Sequence, residues 1–141
     1  MNDELYQEAI MAHARAPHHA GALADADARA TVDNPLCGAR VTVELKLDGG
    51  KVAAIGHTVR GCALCQAAAS MMADGALGRD RAAVQAARDT VRAMLRDGAE
   101  PPGGGWSAFA AFVPARAARS RHDCVLLPFQ ALERAFASTS G

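Results

Sequence analysis

Four cysteines are the residues of this chain whose type and position offer chemistry. Cys37 lies in the turn Pro35-Leu36-Cys37-Gly38, Cys62 follows Gly61, Cys65 stands at CxxC spacing from Cys62, and Cys124 comes about sixty residues later. A thiolate is a soft ligand for zinc or iron and a nucleophile toward sulfur. Tetrahedral zinc takes four ligands, with Zn–S about 2.3 Å, so cysteines this far apart must be brought together by loops at one end of a fold. Gly38 and Gly61 allow tight backbone turns beside two of them. Cys62 precedes a helical pattern that begins near Leu64, and a helix N-terminus favours the thiolate. Arg40, Arg60 and Arg121 lie near the cysteines in sequence and could offset the charge of three thiolates. Singly, each cysteine also reads as a small core hydrophobe, and Cys65, next to apolar Leu64, reads as packed rather than ligating. The CxxC pair alone fits half a zinc site, a redox dithiol, or one ligand beside one buried residue.

The elements that must position these thiols follow from hydrophobic periodicity. Leu5, Tyr6, Ala9, Ile10 and His13 recur at helical spacing, and Pro17 stops that helix. Val41, Val43, Leu45 and Leu47 alternate with polar residues as in a half-buried strand. Asp48-Gly49-Gly50 signals a hairpin, Lys51 to Val59 forms the return strand, and Thr31-Val32 supplies a third. Leu64, Ala67, Ala68, Met71 and Met72 give a helix closed by Gly75 and Gly78. Asp80 caps the next helix, whose buried stripe is Val84, Ala87, Val91, Met94 and Leu95, and Gly98 ends it. Glu100 to Gly105 is loop, and Trp106 to Pro114 is apolar without an assignable element. A last helix is expected to start at Pro128, which places Cys124 just before it. The order predicts an α+β fold: an N-terminal helix, a three-stranded antiparallel sheet, and C-terminal helices covering it, as one domain over residues 1–141.

Composition excludes several classes. Half of the 141 residues are hydrophobic and 21% are charged, with 15 basic and 15 acidic side chains. That balance is globular and gives no broad attraction to nucleic acid or anionic membrane. An aromatic content of 4% argues against base stacking. The polar, acidic N-terminus lacks the pattern of a secretory signal, so a cytoplasmic protein is expected, where cysteines serve metal, catalysis or packing rather than disulfides.

Read together, the motifs resemble the IscU/SufU/NifU-like iron–sulfur cluster assembly family over nearly the whole chain. Leu5-Tyr6, Ile10, His13, Pro17 and Gly21 are similar to the family's N-terminal helix and following loop. Asn34-Pro35-Leu36-Cys37-Gly38 resembles its first cysteine motif, Gly61-Cys62 through Met71-Met72 its second, and Arg121-His122-Asp123-Cys124 with Leu127-Pro128 its third. The spacer between Cys62 and Cys124 looks like the SufU branch, and the Leu-Pro-Pro-Val-Lys segment of the IscU branch is absent. The resemblance implies a SufE/NifU-like two-layer fold. It implies Cys37, Cys62 and Cys124 as ligands of zinc or of a nascent iron–sulfur cluster, with Cys124 accepting persulfide sulfur. The implied partners are a SufS-like cysteine desulfurase and iron–sulfur client or carrier proteins. The chain is expected to be a scaffold or sulfur carrier rather than an enzyme in its own right, and a monomer or weak homo-oligomer.

One position departs from the family. Where aspartate follows Cys-Gly as the usual fourth ligand, this chain has Ala39, which has no donor. Cys65, His122, Asp123 or water could stand in; the metal could be held differently or more weakly; or a bound metal or cluster could become more persistent. His13 reads as structural, and His18, His19 and His57 as surface residues. Arg116, Arg119 and Arg121 read as a solvated face or a dock for an acidic partner. Three other functions remain open: a zinc-dependent sulfurtransferase partner that builds no cluster, a purely structural zinc domain, and a Cys62–Cys65 dithiol oxidoreductase.

Overall fold

The odd-numbered residues of the central strand are what the fold is built on. Val41, Val43 and Leu45 are sealed on one face of β2 (Ala39–Asp48). Their antiparallel partners are Val32, Ala30 and Ala28 of β1 (Ala28–Asn34) and Val59, His57 and Ile55 of β3 (Lys51–Arg60). Directly opposed residues share a face, so these three rows make one continuous apolar surface on a sheet ordered β1-β2-β3. Gly49 (φ 61°) and Gly50 (φ 80°) both adopt the left-handed backbone that a two-residue hairpin requires. The structure, a computed structural model, describes residues 3–36 and 38–139.

Helices cover that surface. α1 (Asp3–Arg15) precedes the sheet; α2 (Ala63–Ala76), α3 (Arg81–Asp97) and α4 (Arg119–Ala137) follow it. α4 packs on β1 and β2, α2 packs on β3, and the two pack on each other; α1 lies on α2, and α3 on α4. Asp80 Oδ1 accepts from Ala83 N at 2.9 Å, Gly98 closes α3 at φ 72°, and the buried stripe of α3 is the one its periodicity predicts. Arg88 Nη1 donates to both carboxylate oxygens of Glu133 at 2.8 and 2.9 Å, fixing α3 against α4. No helix among the described residues is long and apolar enough to cross a membrane.

The α+β order is as expected, and packing adds detail at two places and corrects a third. Gly75 is itself helical, in the last turn of α2, where its missing Cβ leaves room for the Trp106 ring that a Cβ would meet at 2.4 Å, and Gly78 (φ 79°) follows the end of the helix as expected. The unassigned apolar stretch is a 3-10 segment, Gly104–Ala117, whose buried residues Trp106, Phe109, Phe112 and Ala115 recur every third position, the period of that helix. The last helix begins at Arg119, not Pro128, so Cys124 is within it. Pro128 is tolerated mid-helix, although it cannot donate the usual bond to the carbonyl four residues back. The side chains of Leu5 and Tyr6 lie outside the described residues.

Candidate metal and sulfur-transfer site

Cys62 occupies the two-residue step between β3 and α2. It is the N-cap of α2 in extended conformation (φ −74°, ψ 170°), exposed, and its side chain makes no capping bond. The thiol therefore faces solvent at the positive end of a 14-residue helix with no acidic residue in its first turn. Gly61 brings three pieces of chain together: a Cβ on it would lie 3.1 Å from the Ala39 Cβ and 3.6 Å from the Cys65 Cβ. Position 39, at the head of β2, thus abuts the turn that carries Cys62. Ala39 is 2% exposed, and what it offers there is a methyl group. A hollow of about 250 Å³ opens at this end of the sheet, bounded by Pro35, Gly38, Ala39 and Arg60 among others. Leu36, beside it, is 92% exposed. Cys37 lies outside the described residues. Arg60 and Arg121 are exposed, and Arg40 is paired with Asp33 at 2.7 Å.

The third motif lies in the first half of α4. Cys124 is 5% exposed, and Cys65 is sealed in the core. His122 is buried, with Nε2 at 3.1 Å from the Ala115 carbonyl and 3.2 Å from that of Arg116. Carbonyl oxygens only accept, so Nε2 carries a hydrogen, and Nδ1 is the nitrogen that offers a lone pair when the ring is neutral. That is how a metal-ligating imidazole is usually oriented. Asp123 is half exposed and faces Arg96 at 3.4 Å. Arg116 corrects the expected basic face: its guanidinium is half-buried and donates to the carbonyls of Met94 and Ala99, both at 2.7 Å, closing the C-terminal end of α3.

His57 is a further correction. It opposes Val43 on the apolar face of the sheet and is 3% exposed. The loop after α1 straps over it: His57 Nε2 donates to the His18 carbonyl and Gly21 N donates to the His57 carbonyl, both at 2.8 Å. Burial holds its pKa below the ordinary histidine value, the His18 carbonyl opposes that shift, and nearby His19 adds to it. Strand alternation from Ile55 was the signal for this burial. His13 is half-buried, with Nδ1 2.7 Å from Ser70 Oγ.

Among the described residues, the trio whose ligand atoms all lie within 4.8 Å of one another is His13, His18 and Asp74, on the α1–α2 side. Cys62, Cys65, Cys124, His122 and Asp123 do not form such a trio; Cys37, the remaining thiol of the expected set, is outside the described residues.

Comparison with known proteins defines the class. The family model of the NifU-like N-terminal domain matches residues 5–111, a stretch that contains Cys37 and Cys62 and stops before Cys124. The chain belongs to this NifU-like family. The N-terminal NifU-like protein of Brucella abortus superposes with a TM-score of 0.90 at 36% identity, over 97% of this chain and 95% of that one. The FiSufU structure from Fervidobacterium islandicum AW-1, at TM-score 0.84 and 24% identity over 96% of this chain and 99% of that one, agrees in fold. The iron–sulfur cluster assembly scaffold protein IscU of Streptococcus pyogenes is 31% identical over 71% of this chain. The zinc-dependent sulfurtransferase SufU of Bacillus subtilis is 37% identical over 55% of it. These matches span 62% and 52% of the lengths of those two relatives.

Proposed function

We propose that this protein receives sulfur from a cysteine desulfurase and serves iron–sulfur cluster assembly as scaffold or carrier, with Cys37, Cys62 and Cys124 holding zinc or the nascent cluster. The observation that carries the reading is the exposed Cys62 thiol at the positive end of α2, against position 39, in a NifU-like fold. His122 supports it as the replacement fourth ligand, because its Nε2–H is already committed to carbonyls. Asp123 and Cys65 have less to offer: one faces Arg96, the other is core.

Sulfur passes by exchange. A thiolate of this chain attacks the outer sulfur of the desulfurase Cys–S–SH; a new S–S bond forms here, the old one breaks, and the desulfurase leaves as thiolate, with no net oxidation. The resemblance points to Cys124 as acceptor. The exposures favour a second reading in which Cys62 takes the sulfur first, since Cys124 is 5% exposed and Cys62 is open. Mixing the desulfurase with ³⁵S-cysteine and Cys62→Ala or Cys124→Ala protein decides between them. Label lost only in Cys124→Ala supports the first, and label lost only in Cys62→Ala the second. Full labelling of both single variants and of the double variant sinks sulfur acceptance by this site. Metal analysis after anaerobic reconstitution separates a cluster scaffold from a colourless zinc sulfurtransferase partner.

A further inference from the structure

We infer that His13, His18 and Asp74 form a second metal site, for a divalent first-row transition cation such as zinc or cobalt, remote from the cysteines. The three offer one ligand atom each within 4.8 Å of one another, and the His13 and His18 rings stand 4.7 Å apart at 52°. Nothing in the thiol chemistry uses them. Asp74 lies twelve residues beyond Cys62 along α2, which is about 18 Å at the helical rise.

The site is built and not a chance meeting of surface groups. Ser70, fully buried in α2 one turn before Asp74, holds both imidazole-bearing segments: its Oγ lies 2.7 Å from His13 Nδ1 and accepts from His18 N at 2.8 Å. The Ser70 hydroxyl at His13 Nδ1 fixes the rotation of the His13 ring, as a hydroxyl behind a ligating imidazole does. His18 Nδ1 and Asp74 Oδ2 share a hydrogen 2.6 Å apart. A cation in place of that hydrogen needs the pair to open to about 3.3 Å, from metal–ligand bonds near 2.0 Å at a tetrahedral angle. Both side chains are exposed enough to move that far. His19 Nε2, 3.3 Å from Asp74 Oδ1, holds the other carboxylate oxygen. The loop carrying His18 is itself pinned by His57 through the His18 carbonyl. Two imidazoles and one carboxylate select zinc, cobalt, nickel or copper over magnesium and calcium, which require oxygen donors.

The test uses the full chain without a histidine tag. Cys37→Ser/Cys62→Ser/Cys124→Ser protein is titrated with Co²⁺ and then Zn²⁺. One equivalent of Co²⁺ giving visible bands without a sulfur charge-transfer band, displaced by Zn²⁺, is the expected result. Adding His18→Ala and Asp74→Ala, both on exposed side chains, should weaken binding by about 100-fold or more, since outer-shell changes alone cost 10–100-fold. Histidine ring NMR should show His13 and His18 shifting on saturation with Zn²⁺. If the triple variant does not fold, the wild-type chain and its His18→Ala/Asp74→Ala form are compared, and the latter should bind one equivalent fewer. Equal binding with and without His18 and Asp74, or no stoichiometric binding by the folded thiol-free protein, overturns the site.

Discussion

Replacing Ala39 with aspartate tests the site through opposite effects with and without metal. Ala39 is 2% exposed and packs against Gly61, so a carboxylate there leaves water. A buried polar group without a partner costs about 1–3 kcal/mol. In a chain of this size that lowers Tm by roughly 3–10 °C. On the proposed reading, zinc held by Cys37, Cys62 and Cys124 takes the same carboxylate as a ligand, and its burial is compensated. A tenfold gain in zinc affinity corresponds to about 1.4 kcal/mol. Ala39→Asp protein stripped with chelator should therefore melt below the parent. Loaded with zinc, it should recover most of that loss and resist a competing chelator at least about tenfold better. The assays are differential scanning fluorimetry with and without zinc, and zinc transfer to a coloured chelator. The reasoning fails if the stripped variant melts with the parent, which means position 39 is open to water. It fails equally if zinc retention is unchanged, which puts position 39 outside the coordination shell.

Three further perturbations test the frame that holds the site. Gly75→Ala gains up to about 1 kcal/mol of helix propensity but forces a methyl into the Trp106 ring, at about 1–3 kcal/mol. It should lower the urea midpoint in the parent and raise it in a Trp106→Leu background; the same sign in both refutes the packing argument. Arg116→Met keeps the apolar stem and removes the donors to Met94 and Ala99, so a loss of about 2 kcal/mol is expected in chemical denaturation. In chelator-treated protein, His57 is held neutral by burial, below its unfolded pKa of about 6.5. The unfolded chain then binds the extra proton, so stability falls as pH drops below about 6.5. His13, shifted down by burial and by His18 against the pull of Asp74, acts in the same sense. A His57→Leu variant should lose less stability between pH 7.5 and 5.5 than the parent, and an equal loss excludes His57 as a source.

Local rules set much of this protein. Period-two residues in β2, paired glycines at 49 and 50, the Asp80 cap and the Gly98 stop each act within a few residues, so the sheet, the hairpin and α3 were legible from the chain alone. The step from β3 into α2 at Cys62 was legible for the same reason. Packing decided the rest. Gly75 reads as a helix stop until Trp106, thirty-one residues away, is seen to need its missing Cβ. Pro128 reads as a helix start until the whole of α4 is seen packed on the sheet, where burial outweighs one missing backbone bond. His57 and Arg116 look like surface residues until a strap and a helix end close over them. The cluster of His13, His18 and Asp74 joins a helix, a loop and a second helix, and no spacing rule links positions 56 residues apart. Sequence determines which groups can do chemistry, because that is a property of single side chains; which of them meet depends on where distant elements dock, and docking is a property of the assembled core.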